Sequence, residues 1–262
     1  MVVVVLVAAA AVDVTNFITA SKASHEAFKT ATLLKTLTIN ALIMGEVGVG
    51  KTTLASYILP DAVVVEAQEF DVVVSTLENS NTIIIKNIDK SPNLKLLKQK
   101  ILDSQVRVVA TAKASWSNNE IDEIFGICFD IPPLSERMED VAVLIKKFTQ
   151  EAYELFGGEG QLNTENFVPD LSTNSNSLRR QVMFYYLLQD IQDTELMDII
   201  QRYLEDKLGS MSDYRNFLYL YEVPLIRAGL KRFKSQLQLA DKLGLNRNTL
   251  RKKITEHKQY LQ

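Results

Sequence analysis

Short apolar runs alternate with amphipathic stretches through the first half of the chain. Five runs rich in β-branched and other apolar residues have the length of buried strands, and stretches with helical spacing of apolar residues lie between most of them. Such alternation is typical of a parallel sheet covered by helices. The predicted strands are residues 41–44, 61–65, 82–85, 106–110 and 126–131, and the predicted helices are residues 52–59, 69–77 and 92–104.

After residue 139 the strand-like runs stop and helical spacing dominates to the end of the chain. Residues 140–156 and 177–192 are predicted helices, and the Gly-, Asn-, Ser- and Thr-rich residues 157–176 between them are a predicted loop. A second break falls at Gly209 and Ser210. We therefore predict three domains: an α/β domain at residues 1–138, a helical subdomain at residues 139–208 and a small all-α domain at residues 209–262.

The composition is that of a soluble globular protein. Hydrophobic residues make up 47% and charged residues 23%, which excludes general disorder. The single cysteine, Cys128, excludes an internal disulfide framework and, in an apolar strand, is expected to lie in the core. With one cysteine and two histidines, a metal site built on such ligands is not expected.

The apolar N-terminal run at residues 2–12 is shorter than the roughly 20 residues that cross a bilayer. It also lacks the basic region of a signal peptide. Residues 2–7 of this run predict a buried strand, and we expect a cytoplasmic protein without a membrane partner.

A glycine-rich loop follows the first predicted strand. Residues 45–52 read Gly-Glu-Val-Gly-Val-Gly-Lys-Thr, which matches GxxxxGK[ST] between a strand and a helix. Glycines permit a turn that points backbone amides at an anion, and the helix N-terminus adds the positive end of its dipole. Lys51 would reach the β- and γ-phosphates, and the Thr52 hydroxyl would reach a nucleotide-bound Mg²⁺. The residues predicted to bind ATP or ADP are Gly45, Glu46, Val47, Gly48, Val49, Gly50, Lys51, Thr52 and Thr53.

The end of the strand at residues 82–85 lacks the acids that hydrolysis requires. A P-loop ATPase needs carboxylates there to hold Mg²⁺ and to orient water. Lys86 and Asn87 stand at this place, and Asp89 could substitute only if the backbone turned back. We therefore predict impaired nucleotide chemistry.

The charge of the C-terminal segment is opposite to that of the remaining chain. The whole chain has a net charge of −3, but residues 224–262 hold ten basic and two acidic residues, a net of +8, which leaves −11 elsewhere. A concentrated positive segment is what binding to a DNA phosphate backbone requires.

Two short helical patterns flank a glycine inside this basic segment. Residues 237–243 are amphipathic, Gly244 is a natural left-handed cap, and the next helix begins with the capping residue Asn246. This pattern predicts a helix-turn-helix whose second helix enters the major groove of DNA. An amphipathic stretch at residues 217–233 could form a homodimer or higher oligomer interface. The predicted DNA contacts are Asn246, Arg247, Asn248, Thr249, Arg251, Lys252 and Lys253.

These motifs together resemble the NtrC-type bacterial enhancer-binding proteins, in which an AAA+ ATPase domain precedes a Fis-type helix-turn-helix. Residues 45–52 resemble the Walker A loop, although that family usually has an acidic residue where this chain has Thr52. Residues 131–140 are close to the LPPLRxRxEDI segment, and residues 240–253 follow the Fis-type pattern. The resemblance implies an α/β P-loop AAA+ sheet with a helical lid, followed by a small all-α domain. At residues 177–180 it also places Arg179 at the nucleotide-sensing arginine.

The chain departs from this family pattern where hydrolysis and remodelling are supported. Lys51 and Lys86 are 35 positions apart, too few for the remodelling hairpin, and the sigma-54-contacting GAFTGA loop has no counterpart. Because the P-loop begins at residue 45, we also expect no receiver domain before it. The Walker B acids fall on Lys86 and Asn87, the arginine finger on Glu123, and the polar sensor I residue on Ala112, one place after Thr111.

The leading hypothesis is a DNA-binding transcriptional regulator of the bacterial cytoplasm with a degenerate AAA+ domain. That domain would bind ATP or ADP, hydrolyse it poorly and not remodel the sigma-54 polymerase. Two alternatives stay open. One is an active ATPase activator, in which Asp89 or glutamates of a neighbouring subunit replace the missing acids. The other is a nucleoid-type architectural protein that binds DNA with little sequence preference.

Overall fold

Five parallel strands form the sheet in the described part of the chain. The computed structural model describes residues 17–119, 121–158, 160–164, 167–233 and 235–261, so the strand predicted at residues 2–7 lies outside the described residues. The strand order is β2-β3-β4-β1-β5, and every neighbouring pair is parallel. The strands are β1 (Ala41–Gly45), β2 (Val63–Glu66), β3 (Thr82–Lys86), β4 (Arg107–Ala112) and β5 (Ile127–Ile131).

Helices cover both faces of this sheet because consecutive strand residues point to opposite sides. Ile84 packs in a cluster that includes residues of the first two helices, whereas Ile83 and Ile85 pack in a cluster with residues of the third and fourth. The predicted strands and the three predicted helices among them are confirmed to within a few residues. These four helices are α1 (Lys22–Thr36), α2 (Lys51–Ile58), α3 (Phe70–Asn79) and α4 (Leu94–Asp103).

Helix α1 was not predicted from the spacing of apolar residues. Its buried face consists of Ser24, Ala27, Ala31 and Leu34, so three of the four side chains are too small to give a strong hydrophobic period. The helix begins after Ser21, whose Oγ accepts a hydrogen bond from the backbone N of Ser24 at 3.2 Å.

Two helices follow the sheet, α5 (Met138–Phe156) and α6 (Ser175–Leu188), and pack against each other. Leu144 and Phe148 of α5 share a core cluster with Leu178 and Val182 of α6. The chain divides into two units between Asp190 and Ile191.

The second unit is all-helical in its described residues. The exposed helix α7 falls in this unit, although the domain boundaries predicted from the sequence assign it to the helical subdomain. Ile226, Leu239, Ala240 and Leu250 form the core of the last three helices. The predicted fold class, a parallel α/β sheet with a helical lid followed by a small all-α domain, is confirmed. The helices are α7 (Asp193–Glu205), α8 (Asp213–Phe217), α9 (Tyr219–Arg232), α10 (Gln236–Lys242) and α11 (Arg247–Glu256).

Two further observations concern the surface. Cys128 is exposed, so the expectation that it lies in the core is wrong; the reason is that β5 is an edge strand of the sheet. Among the described residues, no helix has the length and apolar character needed to cross a bilayer.

Candidate functional site

The glycine-rich loop lies between β1 and α2 as predicted. Gly48 and Gly50 have φ angles of +79° and +105°, in the left-handed region that favours glycine, and α2 begins directly after Gly50. A Cβ added to Gly48 would lie 2.3 Å from the carbonyl oxygen of Thr173. Glycine at residue 48 therefore permits both the turn of the loop and the close approach of a second segment.

The Lys51 side chain folds back over its own loop. Its Nζ donates hydrogen bonds to the carbonyl oxygens of Gly45 at 2.7 Å and Glu46 at 2.6 Å. Burial lowers the pKa of Lys51, although the nearby Asp89 acts in the opposite direction. An anion at the loop would compete with these two carbonyl oxygens for the ammonium group.

The segment that starts α6 is bonded to the same loop. Asn174 Nδ2 donates to Glu46 Oε2 at 2.9 Å and to the Val47 carbonyl at 3.0 Å, while Asn174 Oδ1 accepts from the Leu134 backbone N at 2.6 Å. Ser175 donates to the Gly48 carbonyl from its backbone N at 3.1 Å and from Oγ at 2.5 Å. These contacts join the lid to the loop, and sequence reasoning missed them.

Two cavities meet at the loop and share Gly48, Gly50, Thr53 and Ser175. The larger, of about 460 Å³, is polar; the smaller, of about 240 Å³, has a mainly apolar wall. A ligand with an anionic end and a flat apolar end would suit this pair. The larger cavity is lined in addition by Lys51, Thr52, Lys86, Asn87, Lys90 and Thr111, and the apolar wall of the smaller by Phe17, Ile18, Val49, Leu134, Leu144 and Phe148.

A buried ion pair supports the loop from beneath. The side chains of Arg137 and Asp140 are 2% and 1% exposed, and Arg137 Nη1 lies 3.3 Å from Asp140 Oδ2. Arg137 Nη2 donates to the Val49 carbonyl at 3.1 Å, while Asp140 accepts from the Ser21 backbone N at 2.8 Å and Ser24 Oγ at 3.0 Å. Burial lowers the pKa of Arg137, and Asp140 opposes this shift. The pair therefore ties the loop to α1 and α5.

The end of β3 carries the two residues that stand in place of acids. Lys86 Nζ pairs with Glu66 Oε1, and Asn87 Nδ2 donates to Glu66 Oε2 at 2.8 Å. Burial raises the pKa of Glu66, but the hydrogen bonds from Lys86 and Asn87 bring it below its usual value. Thr111, and not Ala112, lines the polar cavity, and its Oγ1 accepts from the Asn87 backbone N at 3.1 Å.

This donor set does not fit the Mg²⁺ predicted at Thr52. Divalent magnesium takes oxygen ligands, and no carboxylate is among the residues that line the polar cavity. In the described part of the chain, no group of three or more His, Cys, Asp or Glu side chains could hold a metal ion. The carboxylate of Asp89 lies outside the lining and accepts from the Lys113 backbone N at 3.3 Å.

Two other predicted positions make ion pairs away from the cavities. Arg179 lines neither cavity; its Nη2 lies 2.5 Å from Glu151 Oε1, and this hydrogen bond raises its pKa. Its nucleotide-sensing role stays a prediction. Glu123, at the position of the arginine finger, accepts from Lys98 Nζ at 2.9 Å.

The turn between α10 and α11 has the predicted geometry. Gly244 has φ +65°, its backbone N donates to the Asp241 carbonyl at 3.1 Å, and the Leu245 N donates to the Ala240 carbonyl at 2.9 Å. These two bonds are those of a Schellman motif. Asn246 Oδ1 then caps α11 by accepting from the Asn248 backbone N at 2.8 Å. The prediction of two short helices around a glycine turn is confirmed.

Most of the predicted contact residues of α11 are exposed. Lys253 differs from them because its Nζ forms a largely buried pair with Glu222, which also contacts His257 Nε2 at 2.9 Å. The ion pair of Lys252 with Glu256, at 3.8 Å, is exposed. Burial raises the pKa of Glu222, but the hydrogen bonds from Lys253 and His257 lower it overall. Lys253 therefore joins α11 to α9. The exposed predicted contacts are Asn246, Arg247, Asn248, Thr249, Arg251 and Lys252.

The stretch predicted as a dimer interface contains α9. Val223, Ile226 and Gly229 of this helix are buried within its own unit, and a Cβ on Gly229 would lie 2.2 Å from Leu239 Cδ1. This face of α9 therefore packs against α10, and the oligomeric interface stays a prediction.

Comparisons with known proteins agree with both parts of this description. Residues 220–257 match the model of the Fis family of bacterial regulatory proteins. The chain is 30% identical over 168 residues to the DNA-binding transcriptional regulator NtrC of Rhizobium meliloti (strain 1021); the match covers 48% of this chain. It is 29% identical over 139 residues to a Geobacillus stearothermophilus protein named limonene hydroxylase, covering 49% of this chain. The chain spans 34% and 25% of the lengths of these two relatives.

Among solved structures, the chain is similar to NtrX from Brucella abortus. The NtrX complex with ATP gives a TM-score of 0.58 at 16% identity, covering 92% of this chain and 69% of NtrX. The NtrX complex with ADP gives a TM-score of 0.59 at 16% identity, covering 94% and 70%. At this identity the likeness shows the fold of the chain.

Proposed function

We propose that this chain, which is NtrC-like in its AAA+ fold and carries a Fis-type helix-turn-helix, is a DNA-binding transcriptional regulator of the bacterial cytoplasm. The observation that carries the proposal is the exposed, basic first half of α11, which begins at a capped N-terminus in a segment matched to the Fis family. In a helix-turn-helix, side chains at this end of the second helix contact base edges in the major groove. Exposed Arg247 and Arg251 would supply such contacts or bind phosphate.

Selection of genomic fragments by the purified chain, followed by equilibrium binding, tests this proposal. We expect the selected duplex to bind at least 10³-fold more tightly than random duplex at physiological salt. Arg247→Ala should remove most of that preference, while Arg202→Ala, at an exposed arginine of α7, serves as the matched control. Equal affinities with equal salt slopes would favour the architectural alternative, because phosphate contacts alone carry no sequence preference.

The AAA+ domain of the proposed regulator binds ATP or ADP. The support is the pair of cavities that meet at the loop, one polar beside Lys51 and one with apolar walls, together with the ATP and ADP complexes of NtrX. Loop amides and Lys51 would hold the phosphates, and the base would lie against Phe17 and Phe148. Nucleotide could then alter DNA affinity or self-association only through different affinities for the two states.

Turnover by this domain is proposed to be slow, and remodelling of sigma-54 polymerase to be absent. Support comes from Lys86 and Asn87 at the end of β3 and from Glu123 at the arginine-finger position. An arginine finger alone contributes about 10³–10⁵ in rate. Nucleotide binding and phosphate release are measured beside Lys51→Ala, with Lys95→Ala on α4 as the exposed control.

We expect the wild type to bind nucleotide. The affinity of Lys51→Ala should be about 10- to 100-fold lower, since charge-assisted hydrogen bonds to the phosphates are lost. Rapid phosphate release that Asp89→Asn abolishes would instead favour the active ATPase. The proposal also includes self-association into a homodimer or higher oligomer, which light scattering with and without nucleotide tests.

A further inference from the structure

The polar cavity at the loop has a basic lining. Its lining includes Lys51, Lys86 and Lys90 but no aspartate or glutamate. Lys90 is near enough to Lys51 to act on its ionisation, since it contributes to the lowered pKa of Lys51. The other polar side chains of the lining are neutral: Thr52, Thr53, Asn87, Thr111, Ser175 and Asn176. Three lysines thus line a space next to the phosphate-binding loop.

The nearest carboxylate on the neighbouring strand is already engaged. Both oxygens of Glu66 accept hydrogen bonds from the end of β3, one from Lys86 and the other from Asn87. The register of β2 and β3 places Glu66 directly opposite Lys86. Glu66 on β2 therefore orients the side chains of Lys86 and Asn87. These two residues stand at the end of β3, where a P-loop ATPase has its metal-binding acids.

A divalent cation in this cavity would meet repulsion from three lysines, because the carboxylates that act on Lys51, those of Asp89 and Glu46, lie outside the lining. Mg²⁺ requires nearly octahedral oxygen ligands, and ammonium groups cannot supply them. A lysine ammonium is itself a binding group for phosphate and neutralises its charge directly. The charge of a triphosphate can therefore be met in this cavity without a metal ion.

We propose that this chain binds ATP and ADP without Mg²⁺, with Lys86 and Lys90 taking the place of the cation. This inference rests on the proposed nucleotide-binding function. Free ATP carries more negative charge than its magnesium complex, so the three lysines favour the metal-free nucleotide. Glu66 holds Lys86 in place and acts as a positioning residue.

Calorimetric titration of the full chain with ADP and with ATP tests the proposal, once with excess EDTA and once with magnesium chloride. We expect affinities in EDTA that equal or exceed those with magnesium. Lys90→Ala and Lys86→Met should each weaken binding in EDTA by about tenfold, and Lys86→Arg should retain most of it. The exposed Lys95→Ala control should change nothing, and circular dichroism should show that each variant is folded.

Three other results of this titration would overturn the metal-free site. Binding that magnesium strengthens tenfold or more overturns the metal-free site, and loss of that gain in Asp89→Asn would identify the metal ligand. Metal-independent binding that neither lysine variant weakens also overturns it. No binding in either buffer contradicts the nucleotide part of the proposed function, and this inference with it, while leaving DNA binding untouched.

Discussion

The two candidate sites differ in how far their binding groups are already engaged within the protein. At the P-loop, Lys51 is bonded to its own loop, Lys86 to Glu66, and Ser175 of the lid to the loop. On α11, Arg247 and Arg251 are exposed on the surface. Under the proposed function, a nucleotide would have to replace existing contacts, whereas DNA would meet side chains that are already accessible. We therefore expect nucleotide binding to require rearrangement within the protein and DNA binding to require little.

Disrupting the ion pair beneath the P-loop should give the largest effect. Asp140→Asn removes the charge that pairs with buried Arg137 and leaves that guanidinium without its charged partner. Breaking a buried pair in this way costs about 3–5 kcal/mol. We expect the free energy of unfolding of the N-terminal unit to fall by that amount, with a lower thermal transition temperature in calorimetry.

The neighbouring acid gives a matched control for this change. Glu139 lies one position earlier on α5 and is exposed, so Glu139→Gln should cost less than about 1 kcal/mol. Equal stability of the two variants would show that the Arg137 pair does not support the loop.

The fold was more predictable than the contacts that complete the sites. The run at Ile83, Ile84 and Ile85 is fully buried, and a short run of β-branched residues is a direct signal of such a strand. The glycine positions of the P-loop and of the α10–α11 turn were equally direct, because each requires a positive φ. Residue types and their local spacing were therefore enough to predict the strands, the P-loop and the helix-turn-helix.

Long-range polar contacts have no comparable signal. Asn174 and Glu46 are 128 positions apart, and nothing in the spacing of either residue indicates that they meet. Lys253 was predicted to bind DNA because it belongs to a basic run, but its pairing with Glu222 depends on how α9 packs. Gly229 likewise marks a close helix contact that only the packed unit reveals.

Substitution on α11, the second helix of the helix-turn-helix, should have the next largest effect. Arg251→Ala removes an exposed cation from α11, and loss of a base contact costs about 1–3 kcal/mol of binding free energy. Fluorescence anisotropy with the selected duplex measures this loss, while the affinity for ADP should stay at the wild-type value. A parallel fall in ADP affinity would mean that the P-loop and α11 do not bind their ligands independently.

Loosening the lid should strengthen nucleotide binding by a smaller amount. Ser175→Ala removes the hydroxyl that donates to the Gly48 carbonyl at 2.5 Å, a bond between lid and loop. A hydrogen bond of this kind contributes about 0.5–1.5 kcal/mol, so we expect ADP affinity to rise a few-fold. Ser172→Ala, at an exposed serine before α6, is the control for the titration. Weaker ADP binding would show that Ser175 contacts the ligand instead of opposing it.

The smallest effect on DNA binding is expected at Lys252 and Lys253, two predicted phosphate contacts of which the second is held in a largely buried ion pair. Lys252 is exposed on α11 and its pair with Glu256 is a long, solvent-exposed one, so Lys252→Met should reduce the salt dependence of DNA binding by about one counterion. Lys253→Met should leave that slope unchanged, because the Lys253 ammonium is paired with Glu222. Its expected consequence is instead a lower stability of the C-terminal unit, since Glu222 loses one of its two partners, Lys253 and His257. Salt titrations of both variants against the same duplex measure the contrast. Equal reductions in slope would show that Lys253 leaves its pair to bind phosphate, which would extend the accessible surface of α11 by one residue.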